Sequence, residues 1–442
     1  MDSRTKALCD FLNAAHSVYH AQAYLAETLK NAGYTRLYEQ DEWALAPGGK
    51  YFLTRGGSAL VAFRVPQGSP RGFLMSASHS DRPTFKVKEN FELAAAYTRM
   101  AVERYGGMLI SPWLDRPLSI AGRVTVETEA GVETKLLDID RDLLLIPNVA
   151  IHMNRQANEG YKWNPAVDTL PLIGSAGTAG KLPALLEKEA GGKILGHDLY
   201  LYIRQKASVW GVDEEYISSA ALDDLECAWG CTQGFLKGGD SASIPVLCVF
   251  DSEEVGSVSP QGAGSSLLED TLGRICDGLK LNRGRMLAQS FLVSADNAHA
   301  IHPNHPEYAD PGNAPVMGGG LVIKYNANLS YCTDSVSAAV FRKICGRAGV
   351  KVQTYHNRAD LPGGSTLGRI SLAHVSVPTV DIGLAQLAMH SCYETAAVSD
   401  AIDLETAMAA YYGSTLEATE SGFSILQKAR IGKLPKNYYP KL

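Results

Sequence analysis

Apolar residues recur at helical spacing near the amino end of the chain. The stripe runs from Thr5 to about Asn31, with Gln22 as its one polar interruption, and Gly33 follows it. Glycine just beyond a periodic segment often marks the end of a helix. The pattern therefore predicts one long amphipathic helix that packs its apolar side on a core.

Short and nearly continuous apolar runs further along the chain are typical of buried strands. The predicted strands are Ser58–Val65, Gly72–Ala77, Ile244–Phe250, Ser290–Ser294 and Val377–Ile382. Between and after them, amphipathic stretches predict helices near 265–279, 334–348 and 402–418. This alternation predicts an α/β fold, in which a mixed sheet carries helices on both faces as an α/β/α sandwich.

The middle of the chain has a different hydrophobic pattern. Apolar and polar residues alternate along Ala121–Thr128 and Val132–Ile139, and the two runs are separated by Glu129–Gly131, which is typical of a hairpin. We therefore predict a smaller, mostly β domain at 92–207. It interrupts a discontinuous α/β domain formed by 1–91 and 208–442.

Composition narrows the possible functions. The chain has 442 residues, 45% of them hydrophobic, and a formal net charge of -6 without long single-sign blocks. Two folded domains are expected at this length, and nucleic acid or an anionic membrane is not expected as a partner. The polar amino end and the lack of 18 consecutive apolar residues predict no signal peptide and no membrane span. Eight cysteines without a CxxC pair indicate buried thiols in a reducing, cytoplasmic setting.

Acidic and histidine residues cluster directly after the predicted strands, where open α/β sheets collect functional groups. They are His79, Asp81, Asp251, Glu253, Glu254, Asp296, His299, His302 and His390, with Asp223 and Asp224 before a predicted helix. Such ligands without thiolate suit zinc, manganese or cobalt, and a carboxylate can bridge two ions. Any single residue of this set also fits a helix cap or a surface group. The adjacent Glu253 and Glu254 favour function, because two neighbouring carboxylates repel unless a cation or proton separates their roles.

Several short and distinctive sequence motifs are distributed along the chain between about residues 78 and 391. The most distinctive are Asp251–Ser257, which contains Glu-Glu-Val-Gly-Ser, and Ser294–Asn304, which contains Asp-Asn-Ala-His-Ala-Ile-His-Pro-Asn. The others are Ser78–Pro83, Tyr105–Gly107, Trp113–Leu118, Ile146–His152, Leu222–Leu225 and Ala388–Ser391. In these segments the chain resembles the aspartyl aminopeptidases, zinc exopeptidases that assemble from dimers into tetrahedral dodecamers. The resemblance implies that 1–91 with 208–442 is the catalytic domain and that 92–207 is the dimerisation domain.

The resemblance implies an aminopeptidase that acts on peptides with a free, preferably acidic, amino-terminal residue and binds two divalent ions per subunit. Zinc is the expected metal, with manganese or cobalt as alternatives. One ion would be held by His79, Asp223 and Asp296. The other would be held by Asp223, Glu254 and His390, which makes Asp223 the bridge.

The same resemblance assigns roles around the ions. Glu253 matches the general base, and Asp81 would orient His79. His152 matches a histidine that reaches into a neighbouring subunit's site and stabilises the oxyanion there. The substrate pocket would be lined by His299, Lys324 and Met389.

Two positions depart from the family pattern. Asp224 stands where the family usually has Asn, and it adds a negative charge beside the predicted site. Arg82 stands where a small residue is common, at the predicted pocket or its entrance. Acidic preference then depends on Lys324, whose ammonium group can pair with a substrate carboxylate.

Three alternatives remain open. A related two-metal aminopeptidase with neutral or broad specificity would differ only in the pocket. A catalytically inactive metal-binding or peptide-binding scaffold is disfavoured because every ligand position and Glu253 are filled. A serine or cysteine hydrolase is disfavoured further, since the chain has no Gly-x-Ser-x-Gly string.

Overall fold

A computed structural model of the chain describes residues 1–361 and 363–426. Its helices are α1 Ser3–Ala14, α2 Val18–Asn31, α3 Pro165–Asp168, α4 Lys181–Ala190, α5 Leu222–Lys237, α6 Leu267–Gly278, α7 Arg283–Leu287, α8 Ser335–Ala348, α9 Leu367–Ser371 and α10 Val398–Tyr412. Its strands are β1 Thr35–Arg36, β2 Lys50–Arg55, β3 Ala59–Arg64, β4 Phe73–His79, β5 Thr84–Ala94, β6 Tyr97–Tyr105, β7 Leu118–Thr128, β8 Gly131–Asp138, β9 Leu172–Ser175, β10 Ile194–Ile203, β11 Ser208–Trp210, β12 Tyr216–Ser219, β13 Ile244–Phe250, β14 Phe291–Ala295, β15 Ala298–His299, β16 Leu321–Tyr325, β17 Val352–His356, β18 Thr379–Gly383, β19 Ala385–Leu387, β20 Glu394–Ala397, β21 Thr415–Thr419 and β22 Gly422–Leu426.

A nine-stranded mixed sheet forms the centre of the molecule, in the order β1-β2-β3-β13-β4-β14-β18-β16-β17. Successive side chains of a strand point to opposite faces, so Leu74 packs into one core while Phe73 and Met75 pack into the other. Helices α1, α2, α5, α8 and α10 cover the first face, and α6, α7 and α9 cover the second. The predicted α/β class and its three-layer arrangement are confirmed.

A smaller antiparallel sheet has the order β8-β7-β10-β5-β6-β9. Its core is separate from the two cores of the central sheet and includes Phe85, Val124 and Leu199, with Leu182 and Leu186 from α4. The predicted mostly β unit is therefore present. Its boundary at 92 stays a prediction, and β5 already begins before it.

The remaining strands form two further sheets. One has the order β11-β12-β20-β19-β15, and the other is the β21-β22 hairpin. The five-stranded sheet matters for the site, because β12 precedes Asp223 and the loop between β19 and β20 contains His390. Both residues are predicted metal ligands.

The prediction of one helix from Thr5 to Asn31 is wrong, because the segment forms α1 and α2. Ser17 has an extended backbone, and its side chain accepts a hydrogen bond from the His20 N–H, so it caps a second helix. The polar interruption at Gln22 is buried, and its Nε2 donates to Ser80 Oγ at 3.1 Å and to the Val249 carbonyl at 3.3 Å. The amide is thus satisfied by the central sheet.

The predicted helix 402–418 is wrong in its last turn. Helix α10 ends at Tyr412, and Thr415–Thr419 is the first strand of the β21-β22 hairpin. The other predicted strands and helices are present, with ends displaced by a few residues. None of the helices in the described ranges is long and apolar enough to cross a membrane. All eight cysteines are free thiols, and seven of them are buried.

Candidate metal centre

The register of the central sheet brings the predicted ligands to one edge. Strand β13 runs parallel to β4 with Phe250 opposite His79, so the chain after Phe250 leaves the sheet beside that histidine. Strand β14 runs parallel to β4 on its other side and ends one residue before Asp296. His79, the Glu253–Val255 turn and Asp296 therefore meet at the carboxyl ends of these strands.

Two further ligands reach this edge from outside the central sheet. Asp223 lies at the start of α5, where Asp223 and Asp224 have non-helical backbone angles and are joined by a cis peptide bond. His390 lies in the loop between β19 and β20 and has a positive φ of 67°. Both residues thus lie outside regular structure, and their side chains come within 3.6 Å of each other.

The two carboxylate oxygens of Asp223 face two different imidazoles. Asp223 Oδ1 lies 3.5 Å from His79 Nε2, and Asp223 Oδ2 lies 3.6 Å from His390 Nε2. His79 Nε2 is also 4.0 Å from Asp296 Oδ1, while His390 Nε2 is 3.4 Å from Glu254 Oε2. The five predicted metal ligands thus form two groups that share Asp223.

These distances fit a metal site. They exceed the roughly 2.7–3.2 Å of ordinary hydrogen bonds. Two ligands on one tetrahedral zinc lie about 3.3 Å apart, because each bond is about 2.0–2.1 Å long. Asp223 Oδ1 and Glu254 Oε1 are buried carboxylate oxygens that receive no hydrogen bond within residues 1–361 and 363–426. A divalent cation would satisfy both oxygens.

Electrostatics in this pocket stabilise positive charge. Burial lowers the pKa of His79, but the neighbouring carboxylates of Asp223 and Asp81 outweigh it and raise that pKa well above its ordinary value. Burial, with the charge of Asp223 next, raises the pKa of Glu254 well above its ordinary range. Burial is also the main cause that raises the pKa of Asp296 to about 6. Crowded acids of this kind are neutralised by bound cations.

Asp81 contacts more groups than its predicted role requires. Its Oδ1 lies 3.3 Å from His79 Nδ1 and accepts the Glu253 backbone N–H at 3.1 Å. Its Oδ2 accepts the Glu254 N–H at 3.2 Å and the Tyr105 hydroxyl at 2.8 Å. One carboxylate therefore contacts the imidazole of a predicted metal ligand and the backbone of the Glu253–Glu254 pair.

Tyr105 is a site residue to which sequence reasoning assigned no role. It ends β6 of the smaller sheet, and its hydroxyl reaches Asp81. Just after it, the Leu109 N–H donates to the His390 carbonyl at 3.0 Å. The Tyr105–Gly107 motif was the available signal in the sequence, but only the structure shows that this sheet contacts the candidate metal centre.

Glu253 occupies a tight turn beside the ligands. The turn Glu253–Val255 is flanked by Ser252 at φ 64° and Gly256 at φ 96°. Burial, as the largest cause, raises the pKa of Glu253 to about 8. A half-buried carboxylate with a pKa near neutrality is suited to accept a proton during turnover.

The predicted pocket residues differ in their surroundings. Lys324 is 2% exposed, and its Nζ donates to the carbonyls of Asp296 at 2.7 Å and Asn297 at 3.2 Å. His299 is exposed at the end of β15, and Met389 is half-buried beside His390.

His152, Asp224 and Arg82, the last two of which differ from the family pattern, have different surroundings. His152 is on an exposed turn of the single chain, so its predicted role in a neighbouring subunit stays a prediction. Asp224 is fully buried, and its Oδ2 accepts the His79 N–H at 3.0 Å. Arg82 donates from Nη2 to the Ala15 carbonyl at the break between α1 and α2. Arg82 therefore contacts the amino-terminal helices.

A mixed α/β sheet with a histidine–carboxylate cluster at its carboxyl edge is the arrangement expected of a metal-dependent enzyme. The family model described as "Aminopeptidase I zinc metalloprotease (M18)" matches residues 11–412. The chain belongs to this family and is a metalloaminopeptidase, a hydrolase that acts on peptides. The resemblance to aspartyl aminopeptidases is confirmed at the level of the M18 family.

Individual relatives agree with this assignment. A protein of Clostridium acetobutylicum, described as "Probable M18 family aminopeptidase 2", is 41% identical over 423 residues, covering 92% of this chain and 98% of the relative. Among solved structures, the Ape4 and Nbr1 complex contains a similar chain, with 35% identity, a TM-score of 0.90 and coverage of 93% of this chain and 85% of that one. The S. cerevisiae mApe1 dodecamer is 25% identical, with a TM-score of 0.82 over 93% of this chain and 96% of that one.

Proposed function

We propose that this metalloaminopeptidase uses two divalent ions, normally zinc, to remove acidic residues from the amino ends of peptides. The observation that carries the two-ion proposal is the placement of Asp223, whose two oxygens face His79 and His390 at 3.5 and 3.6 Å. Such a carboxylate can serve two ions at once. Manganese or cobalt would suit the same oxygen and nitrogen donors.

The proposed ligands divide between the two positions. His79, Asp223 and Asp296 would hold one ion, and Asp223, Glu254 and His390 would hold the other. When bound, the ions would polarise the scissile carbonyl and lower the pKa of the attacking water. Glu253 accepts the proton from this water and passes it to the leaving amine. Asp81 keeps Glu253 in place by accepting its backbone N–H.

Acidic preference is proposed from the chemistry of Lys324. An ammonium group has three N–H donors, and two of those on Lys324 are directed to backbone carbonyls. The third can bind the side-chain carboxylate of an amino-terminal Asp or Glu. One observation favours the neutral or broad alternative: Lys324 Nζ lies 3.9 Å from Asp296 Oδ2, which already supplies a negative charge.

A substrate panel tests the proposal. Enzyme treated with chelator is reloaded with zinc, manganese or cobalt and assayed on Asp, Asn, Glu, Gln, Leu, Lys and Ala amides. We expect no activity before reloading. After it, we expect kcat/KM for Asp to exceed that for Asn by roughly 10- to 100-fold, the value of one hydrogen bond to a charged group. Asn is the matched control, because it has nearly the shape of Asp without its charge.

The other outcomes separate the alternatives. Equal rates for Asp and Asn, with metal-dependent cleavage of Leu or Lys amides, would keep the mechanism and reject acidic specificity. Absence of cleavage with every metal would favour a binding scaffold instead.

We further propose that dimers of this chain assemble into a tetrahedral dodecamer. A solved relative, S. cerevisiae mApe1, is described as a dodecamer. Val149, Ile151 and Met153 are 49, 45 and 78% exposed in the single chain, and exposed apolar residues of this kind mark contact surfaces. A cytoplasmic location is proposed as well, supported by eight free cysteines.

His152→Phe is expected to remove most activity while the metal content stays unchanged. The residue lies in the same exposed segment as Ile151 and Met153, so assembly can carry its imidazole into a second subunit. Activity, metal stoichiometry and assembly size are measured together. His374→Phe is the matched control, because His374 is a partly exposed histidine beside Glu269. Unchanged rates in an intact assembly would mean that each active site is complete within one subunit.

A further inference from the structure

Glu394 is a buried carboxylate that contacts two of the proposed metal ligands through their backbone. It is 1% exposed. Its Oε2 accepts the Asp223 N–H at 3.0 Å, and its Oε1 accepts the His390 N–H at 2.7 Å. Each oxygen thus contacts the backbone of a different proposed ligand. Both residues would bind the second ion, whose proposed ligands are Asp223, Glu254 and His390.

The five-stranded sheet explains this placement. Strand β12 pairs antiparallel with β20, and Ser219 lies opposite Glu394. The chain continues from Ser219 to Asp223, while His390 lies in the loop that leads from β19 into β20. Glu394 therefore lies at the point where the two ligand segments approach each other.

Neither ligand is held by a regular element. Asp223 has φ -78° and ψ 108°, which is not helical although α5 surrounds it. His390 has a positive φ of 67° in a loop. Backbone N–H groups at such positions lack the partners that a helix or a sheet supplies, and hydrogen bonds to a carboxylate are stronger than those to a neutral acceptor. The two bonds to Glu394 thus define the relative position of these backbones.

We propose that Glu394 is a positioning residue that sets the spacing of Asp223 and His390 and thereby the affinity of the second ion. The inference rests on the proposed two-ion site. Glu394 acts through the two backbone amides and does not itself contact an ion or a substrate. A carboxylate is required because both of its oxygens accept hydrogen bonds, whereas the amide of glutamine offers one oxygen and one donor nitrogen.

Glu394→Gln tests the proposal by metal binding. Chelated wild-type and variant enzymes are titrated with zinc by calorimetry and by competition with a chromophoric chelator. We expect the variant to bind the weaker of its two ions roughly 10- to 100-fold less tightly, as found for other outer-shell partners of metal ligands. The affinity of the other ion should fall less, because Glu394 holds only one of its ligands, Asp223, and activity should recover when zinc is raised.

Glu405→Gln is the matched control. Glu405 is also a buried glutamate, at 4% exposure, and it pairs with Lys237 at the far end of α5. That end lies about 21 Å along the helix from Asp223, at a rise of about 1.5 Å per residue. We expect both zinc affinities of this variant to equal those of the wild type.

Glu394→Asp provides a second test, because it keeps the carboxyl group but is one methylene shorter and can reach only one of the two amides well. We expect the second-ion affinity to fall in this variant too. Wild-type zinc affinities in both Glu394 variants would overturn the proposal. So would an equal loss at both ions together with a lower unfolding temperature of the metal-free protein, since that pattern indicates a general structural role. Wild-type enzyme that binds only one ion would instead reject the two-ion site itself.

Discussion

Glu253→Gln is expected to abolish nearly all turnover while both ions stay bound. The carboxylate is proposed to move a proton and not to bind metal, and a positioned general base contributes roughly 10²- to 10⁴-fold to a rate. Glutamine has the same shape, and the turn is held by the Glu253 backbone N–H bond to Asp81, which the substitution retains. The fall should therefore appear in kcat, measured beside metal stoichiometry and circular dichroism.

Two results would contradict this role for Glu253. Turnover equal to that of the wild type would exclude it as the base. A parallel loss of metal would make it a ligand, which the pairing of His390 with Glu254 at 3.4 Å argues against. The buried Glu405→Gln variant again serves as control, and its rate should match the wild type.

Asp223→Ala is expected to remove both ions together with all activity. Each oxygen of Asp223 faces a different imidazole, so alanine deletes one ligand from each position. Deleting a direct ligand should lower the metal affinity by more than the roughly 10- to 100-fold that is typical when an outer-shell partner of a ligand is removed. Elemental analysis after dialysis and zinc titration measure the effect.

Asp224→Asn is the comparison for this experiment. Asp224 adjoins Asp223, and its ligand atoms also lie within 4.8 Å of those of Asp223 and Asp296. Its Oδ2, however, accepts the His79 backbone N–H, so we expect the asparagine variant to retain both ions. If Asp224→Asn lost both ions while Asp223→Ala kept them, the carboxylate that bridges the two ions would be Asp224 and not Asp223.

Hydrophobic patterning predicted the central sheet well because fully buried strands have a strong local signature. Ile244–Phe250 is apolar throughout, and Phe291–Ala295 has one polar residue, Ser294, since both faces of the sheet are covered by helices. Acids and histidines just after such runs predicted the edge at which a site would form. The fold class and most of the ligand candidates therefore followed from local sequence.

Local patterning failed where a hydrogen bond or a short turn outweighed periodicity. Ser17 caps a new helix inside a continuous apolar stripe, and Thr415–Thr419 leaves the helical pattern for a hairpin. In both places the competing interaction depends on one or two residues, which a periodicity over many residues does not register.

The sequence by itself determined the α/β class, the resemblance to aspartyl aminopeptidases and the residue types available for metal chemistry, because these depend on local pattern and on short specific motifs. The tertiary structure decided which groups meet. Tyr105 reaches Asp81 from the smaller sheet, and Glu394 reaches Asp223 and His390 through the register of β12 and β20. The physical reason is that strand register and sheet contacts join residues far apart in the chain, and no local periodicity encodes those distances.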